Sequence, residues 1–176
     1  MGGGIGLNCI QDAKIAEATT IIAVDIVESK LKTALSLGAT HSINSAKENP
    51  NEVILSLTEG KGVHYAFEAI GTQDTPFQQS IECTRRRGTT VWVGAAPDNL
   101  KIPLDARFLF FEKRIMGSYL GSIKPKQDIS MLISMYKNHM IELDQLVSKE
   151  IDLEEINQAF KSFETGNSLR NVISFN

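Results

Sequence analysis

At 176 residues, with 42% apolar and 22% charged side chains, the chain has an ordinary soluble composition and room for one sizeable core, or for one domain and part of another. Eighteen basic and twenty-one acidic residues leave a formal charge of −3, which gives no electrostatic support to a nucleic-acid or membrane-surface partner. No apolar run approaches the ~18 residues of a bilayer span, the N-terminus lacks a secretory signal, and Gly6 stands where a myristoylation site wants Ser or Thr. Cys9 and Cys83 lie far apart and outside any C-x-x-C. The expectation is therefore a reduced, cytoplasmic setting with both thiols as small buried hydrophobes and no zinc site of local spacing.

Glycines at positions 2, 3, 4 and 6 open the first helix, whose inward face is Leu7, Ile10, Ala13 and Ala16 at every third residue. Thr20 to Val24 is a β-branched, apolar run of the kind covered on both faces in a parallel sheet, and Asp25 ends it. A helix from about Glu28 to Leu37 follows, with Leu31, Ala34 and Leu35 inward and Gly38 suited to the left-handed stop. Ser42 to Asn44 has the length of a short edge strand only. A third helix carries Val53, Ile54 and Leu57, Val63 to Glu68 reads as a strand running into the Gly71 turn, and Thr75 to Thr84 as a helix with Phe77 and Ile81 inward. Thr89 to Gly94 is the next strand. Strands alternating with helices of about ten residues argue for a parallel sheet with right-handed crossovers.

The pattern changes after Pro97. Phe108 to Phe111 is a dense apolar cluster beside a predicted strand, Arg114 to Tyr119. A helix from Lys126 to Tyr136 uses Ile129, Leu132, Ile133 and Tyr136. Asp152 and Glu155 have capping-box spacing before a helix faced by Ile156, Ala159, Phe160 and Phe163, with Gly166 as its stop, and Asn171 to Phe175 reads as a last strand. From about Leu120 the chain leaves the alternating series and is treated as a separate unit.

The first twenty-five residues carry the chemistry. Glycines at a helix N-terminus let the backbone approach a pyrophosphate, and an acid ~20 positions on hydrogen-bonds a ribose 2′-hydroxyl. A full G-x-G-x-x-G would need glycine at position 1, where Met1 stands, so the turn is incomplete.

The ordered series Ile22-Ala-Val-Asp25, Leu37-Gly-Ala-Thr40, Phe67-Glu-Ala-Ile-Gly71, Val91-Trp-Val-Gly94, Gly117-Ser-Tyr-Leu-Gly121, Glu155-Ile-Asn-Gln-Ala-Phe160 and Ser168-Leu-Arg-Asn-Val172 resembles the C-terminal half of the medium-chain, zinc-dependent alcohol dehydrogenases. The resemblance covers essentially the whole chain. It implies an α/β fold: a Rossmann-type doubly wound parallel sheet lacking its first strand over residues 1–119, then a C-terminal piece of the catalytic domain over 120–176. It implies NAD as cofactor, with Gly3, Gly4, Ile5 and Gly6 beneath the pyrophosphate and Asp25 on the adenosine ribose, disfavouring a 2′-phosphate. Lys30 would also contact ribose. Ile70 and Gly71 would line the adenosine-side cleft, Val93 the nicotinamide region, Leu120 the nicotinamide amide, and Arg170 would help hold the pyrophosphate. Residues 100–119 correspond to a subunit-pairing region. The zinc ligands and proton relay of the family fall outside these motifs, so no catalytic or metal residue is assigned.

Simpler readings accompany several of these residues. A strand-end Asp is commonly a turn residue, and a lysine in a first helical turn needs no ligand to explain it. Arg85-Arg-Arg87 reads as a solvated turn, His41, His64 and His139 as ordinary histidines, and Glu68 as either a cleft residue or a partnered structural carboxylate. The functional expectation is a fragment of an NAD-dependent alcohol dehydrogenase, inactive alone. The alternatives are a non-catalytic NAD-binding module or complementing subunit, joined by a separately encoded N-terminal half that supplies the missing strand, and an S-adenosylmethionine methyltransferase.

Overall fold

A computed structural model describes residues 3–164 and 168–175, so the predicted helix stop at Gly166 lies outside the described residues. The elements run α1 (Gly3–Ile15), β1 (Ile22–Asp25), α2 (Glu28–Leu37), β2 (His41–Asn44), α3 (Pro50–Leu57), β3 (Val63–Glu68), α4 (Asp74–Glu82) and β4 (Thr84–Trp92). There follow α5 (Arg107–Phe110), β5 (Arg114–Gly117), α6 (Pro125–Lys137), β6 (Lys149–Ile151), α7 (Ile156–Glu164) and β7 (Asn171–Ile173).

Every strand pair is parallel, as expected for an α/β fold, but the ladder is divided. Strands β1 and β2 form one sheet, β3, β4 and β5 a second, and β6 and β7 a third. Among the described residues no strand joins β1 to β3, where the sequence leads one to expect the absent strand. The two larger sheets nevertheless share side-chain packing. Ile22 and Val24 of β1 and Val63 and Ala66 of β3 all pack on the buried cluster of Ile43, Ile54 and Cys83. The opposite face of the first sheet is covered by α1 and α2, where Leu7, Ile10, Ile21, Ala23, Leu31, Ala34 and Leu37 close a second core.

Local chemistry explains most boundaries. Gly38, at φ +124°, stops α2 by donating its N–H back into the last turn. Asn49 caps α3 by accepting from the Asn51 N–H, with Pro50 in the first turn where its missing donor costs nothing. In α2, Leu37 takes the buried place expected for Leu35, which is exposed. Strand β4 starts earlier than expected because Thr84 pairs with Val63, while Tyr65 pairs next with Thr89. Residues 85–88 thus stand opposite His64 alone and bulge from the ladder within the strand, where Arg87 has φ +62°. The three arginines, expected in a turn ahead of the strand, instead lie inside β4 at this bulge. Arg86 stacks 4.5 Å from the Phe111 ring centroid and Arg87 pairs with Glu112 at 3.4 Å.

The segment after Leu120 packs back onto α1 and α2. Leu146 enters their core, and Leu169 packs against it. Gln11, buried in α1, donates to the Glu142 carbonyl (3.1 Å) and accepts from the Glu142 N–H (2.6 Å). The capping box at Asp152 and Glu155 is formed and starts the turn that leads into α7.

Candidate cofactor site

Helix α1 begins at Gly3, so Gly3, Gly4, Ile5 and Gly6 are its first turn, not a loop ahead of it. The leading N–H groups of a helix have no partner within it and carry the positive end of its dipole, which suits an anion. Helix α1 shares a buried core with α2, Ile21 and Ala23, and Lys14 near its end lies against Gly38 at the close of α2. Glycine matters at this turn because of what comes near. A Cβ at Gly4 would lie 3.6 Å from Nη2 of Arg170, and one at Gly3 would lie 3.8 Å from the Leu169 carbonyl oxygen.

Arg170 is brought there by the C-terminal segment. Its carbonyl accepts from the Ser148 N–H (2.7 Å), and the Leu169 N–H donates to Ser148 Oγ (2.8 Å). A residue 166 positions from Gly4 in sequence thereby puts a guanidinium beside the helix start, the arrangement expected of an anion cradle.

Asp25 is 6% exposed and its Oδ1 accepts the Val27 N–H at 2.9 Å. It is a turn residue in this geometry, holding the entry to α2. Lys30 is half-buried in the first turn of α2. Ile70, half-buried, and Gly71, buried at φ +78°, follow β3, and Val93, half-buried, follows β4. These positions sit beyond the carboxyl ends of parallel strands, where ligands bind in open α/β sheets. Leu120 stands apart in character. It is 75% exposed, with φ +47°, in a short turn from Tyr119 to Ser122.

Glu68, left open between a cleft and a structural role, is engaged by backbone. Its Oε1 accepts from the N–H groups of Ile70 (2.6 Å) and Gly71 (3.0 Å). The same residue's carbonyl accepts from Val93 and Gly94, a contact that no sequence signal indicated. Among the described residues no group of three or more His, Cys, Asp or Glu is placed to hold a metal ion. Burial raises the Cys9 thiol pKa, and raises that of Cys83 to about 11, which makes both thiols poor anionic ligands near neutral pH.

The sequence profile described as zinc-binding dehydrogenase matches residues 4–138. The chain belongs to this dehydrogenase family. Benzyl alcohol dehydrogenase from Acinetobacter calcoaceticus superposes with a TM-score of 0.93 at 35% identity, over 99% of this chain and 48% of that one. An alcohol dehydrogenase zinc-binding domain protein from Burkholderia ambifaria gives 0.93 at 36% identity, over 100% of this chain and 47% of that one. A zinc-binding dehydrogenase from Sinorhizobium meliloti 1021, bound to NADP, gives 0.82 at 27% identity, over 98% and 49%. This member of the family thus spans about half the length of the solved relatives it matches. The fit to the family's two cofactors is uneven. The described residues hold a helix start, an arginine and a strand-end carboxylate suited to a dinucleotide, and no donor set suited to zinc.

Proposed function

We propose that this chain is the NAD-binding half of an alcohol dehydrogenase and that it holds the cofactor without turning over alcohols by itself. The observation that carries the reading is Arg170 lying against Gly4 at the start of α1, which sets a guanidinium beside the positive end of a helix. Gly3, Gly4, Ile5, Gly6 and Arg170 would hold the pyrophosphate. Asp25 and Lys30 would hold the adenosine ribose, with Asp25 repelling a 2′-phosphate, and Ile70, Gly71, Val93 and Leu120 would line the rest of the cleft. When bound, the nicotinamide ring accepts the hydride; this chain's own residues bind and orient it. Residues 1–119 form the cofactor domain in this reading and 120–176 return to the catalytic domain.

Calorimetric titration tests it directly. NAD+ should bind about tenfold or more tightly than NADP+, and Asp25→Ala should erase that preference. Equal affinity for both cofactors in the wild-type chain would remove the role given to Asp25. With zinc supplied, NAD reduction in the presence of primary alcohols should stay at background, and clear turnover would overturn the assignment of a non-catalytic half.

A pairing surface at residues 100–119 belongs to the same reading. Strand β5 is the outer strand of its sheet, and the exposed apolar side chains Leu109, Phe110 and Met116 lie on and beside it. Sedimentation should show a dimer that Met116→Lys weakens.

A further inference from the structure

Glu68 is 3% exposed, and a polar side chain buried this deeply needs hydrogen-bond partners. Here the donors are backbone. Oε1 takes the N–H groups of both Ile70 and Gly71, and Oε2 lies 3.2 Å from the Gly71 nitrogen. The Glu68 carbonyl then takes the N–H groups of Val93 (2.8 Å) and Gly94 (3.0 Å). One residue therefore fastens the loop leaving β3 to the loop leaving β4, at the edge where the cofactor is proposed to lie.

The packing around it allows no slack. A Cβ on Gly71 would fall 2.5 Å from the Ala95 carbonyl oxygen, and one on Gly94 would fall 2.7 Å from Glu68 Oε2. Two glycines, one of them left-handed, let the loops cross at backbone contact, and the carboxylate beneath closes the crossing. Serving two converging amides needs an oxygen with several lone pairs, which a carboxylate supplies and a leucine of similar size does not.

We propose that Glu68 is the positioning residue of the cofactor cleft, fixing the loops after β3 and β4 as a single wall against the dinucleotide. This rests on the NAD-binding reading. The experiment uses the whole chain, wild type and with Glu68→Gln, Glu68→Leu and Ile54→Val, each held where it is fully folded. NAD+ affinity is measured by calorimetry, and protection of the Val93 and Gly94 amides by hydrogen exchange. Ile54 is buried in α3 and supplies a packing defect outside the two loops.

Glu68→Leu should weaken NAD+ about tenfold and expose the Val93 and Gly94 amides along with those of Ile70 and Gly71. Glu68→Gln, which keeps an acceptor oxygen, should recover most of both, and Ile54→Val should change neither. Wild-type affinity in Glu68→Leu, or a loss in Ile54→Val as large as in Glu68→Leu, would overturn the positioning role. A wild-type chain that takes up no NAD+ would overturn the cofactor reading itself, and the role with it, even if the amides still respond together. Should Glu68→Leu fail to fold, Glu68→Gln decides: amides of the β4 loop unchanged while those of Ile70 and Gly71 shift would show that the two loops are not coupled.

Discussion

Residues 3–117 and residues 120–175 use similar apolar patterns to different ends. In the first region many of the patterned side chains meet one another: Leu7, Ala34, Phe77 and Thr90 are essentially sealed from solvent. In the second, α6 has no buried residue although Ile129, Leu132, Ile133 and Tyr136 follow the helical period, and Phe160 of α7 is 63% exposed. Buried side chains there include Leu146, which packs into the α1 and α2 core. An amphipathic helix announces that it has an inside; it does not say which polypeptide provides it.

Mutations can test how deep that contrast runs. Phe77→Ala should cost about 3–5 kcal/mol in urea unfolding, since it removes a sealed ring that also makes an edge contact with Trp92 at 4.7 Å. Phe160→Ala should stay within about 0.5 kcal/mol, and equal costs at the two sites would abolish the distinction. Leu146→Ala should cost about 2–3 kcal/mol and release protection in β7 before β1, because Leu146 joins the two regions. Gln11→Ala, which strands both Glu142 backbone groups, should cost about 1–2 kcal/mol by the same readout. Asp152→Ala should remove about 1 kcal/mol confined to the start of α7, seen as faster exchange there alone.

A last test of the same contrast is a matter of pH. Burial holds the Cys83 thiol protonated until about pH 11, whereas in the unfolded chain it ionises nearer its ordinary value. Between those values the unfolded state binds fewer protons, so stability should fall as pH rises through that window. Disulfide-exchange reagents at pH 8 should label Cys9, half-buried, ahead of Cys83. Faster labelling of Cys83 would mean that its core opens more readily than the first region's packing implies.

Much of this was legible in the chain itself because the signals are local. Apolar period placed α2, α3, α4 and α7, helped by the Gly38 stop of α2 and the capping box before α7, and the motif order named the family. What sequence could not supply depended on register or distance. The bulge at residues 85–88 follows from how β4 meets β3. The partnership of Glu68 with two loops requires both strand ends to be in place. The approach of Arg170 to Gly4 spans almost the whole chain. Arg170 was named through family position alone, and the fold adds the physical reason: a parallel pair of short strands and two bonds through Ser148 carry it to the helix.

The divided sheet has a consequence for motion. Among the described residues β1–β2 and β3–β5 share no backbone ladder, and the cluster around Ile43, Ile54 and Cys83 joins them through side chains. Side-chain contact is short-ranged and undirected, so it resists separation of the sheets more than a slide of one past the other. The molecule should therefore breathe as two cooperative units with distinct opening free energies, and native-state exchange should resolve them as two sets of amides on either side of that seam.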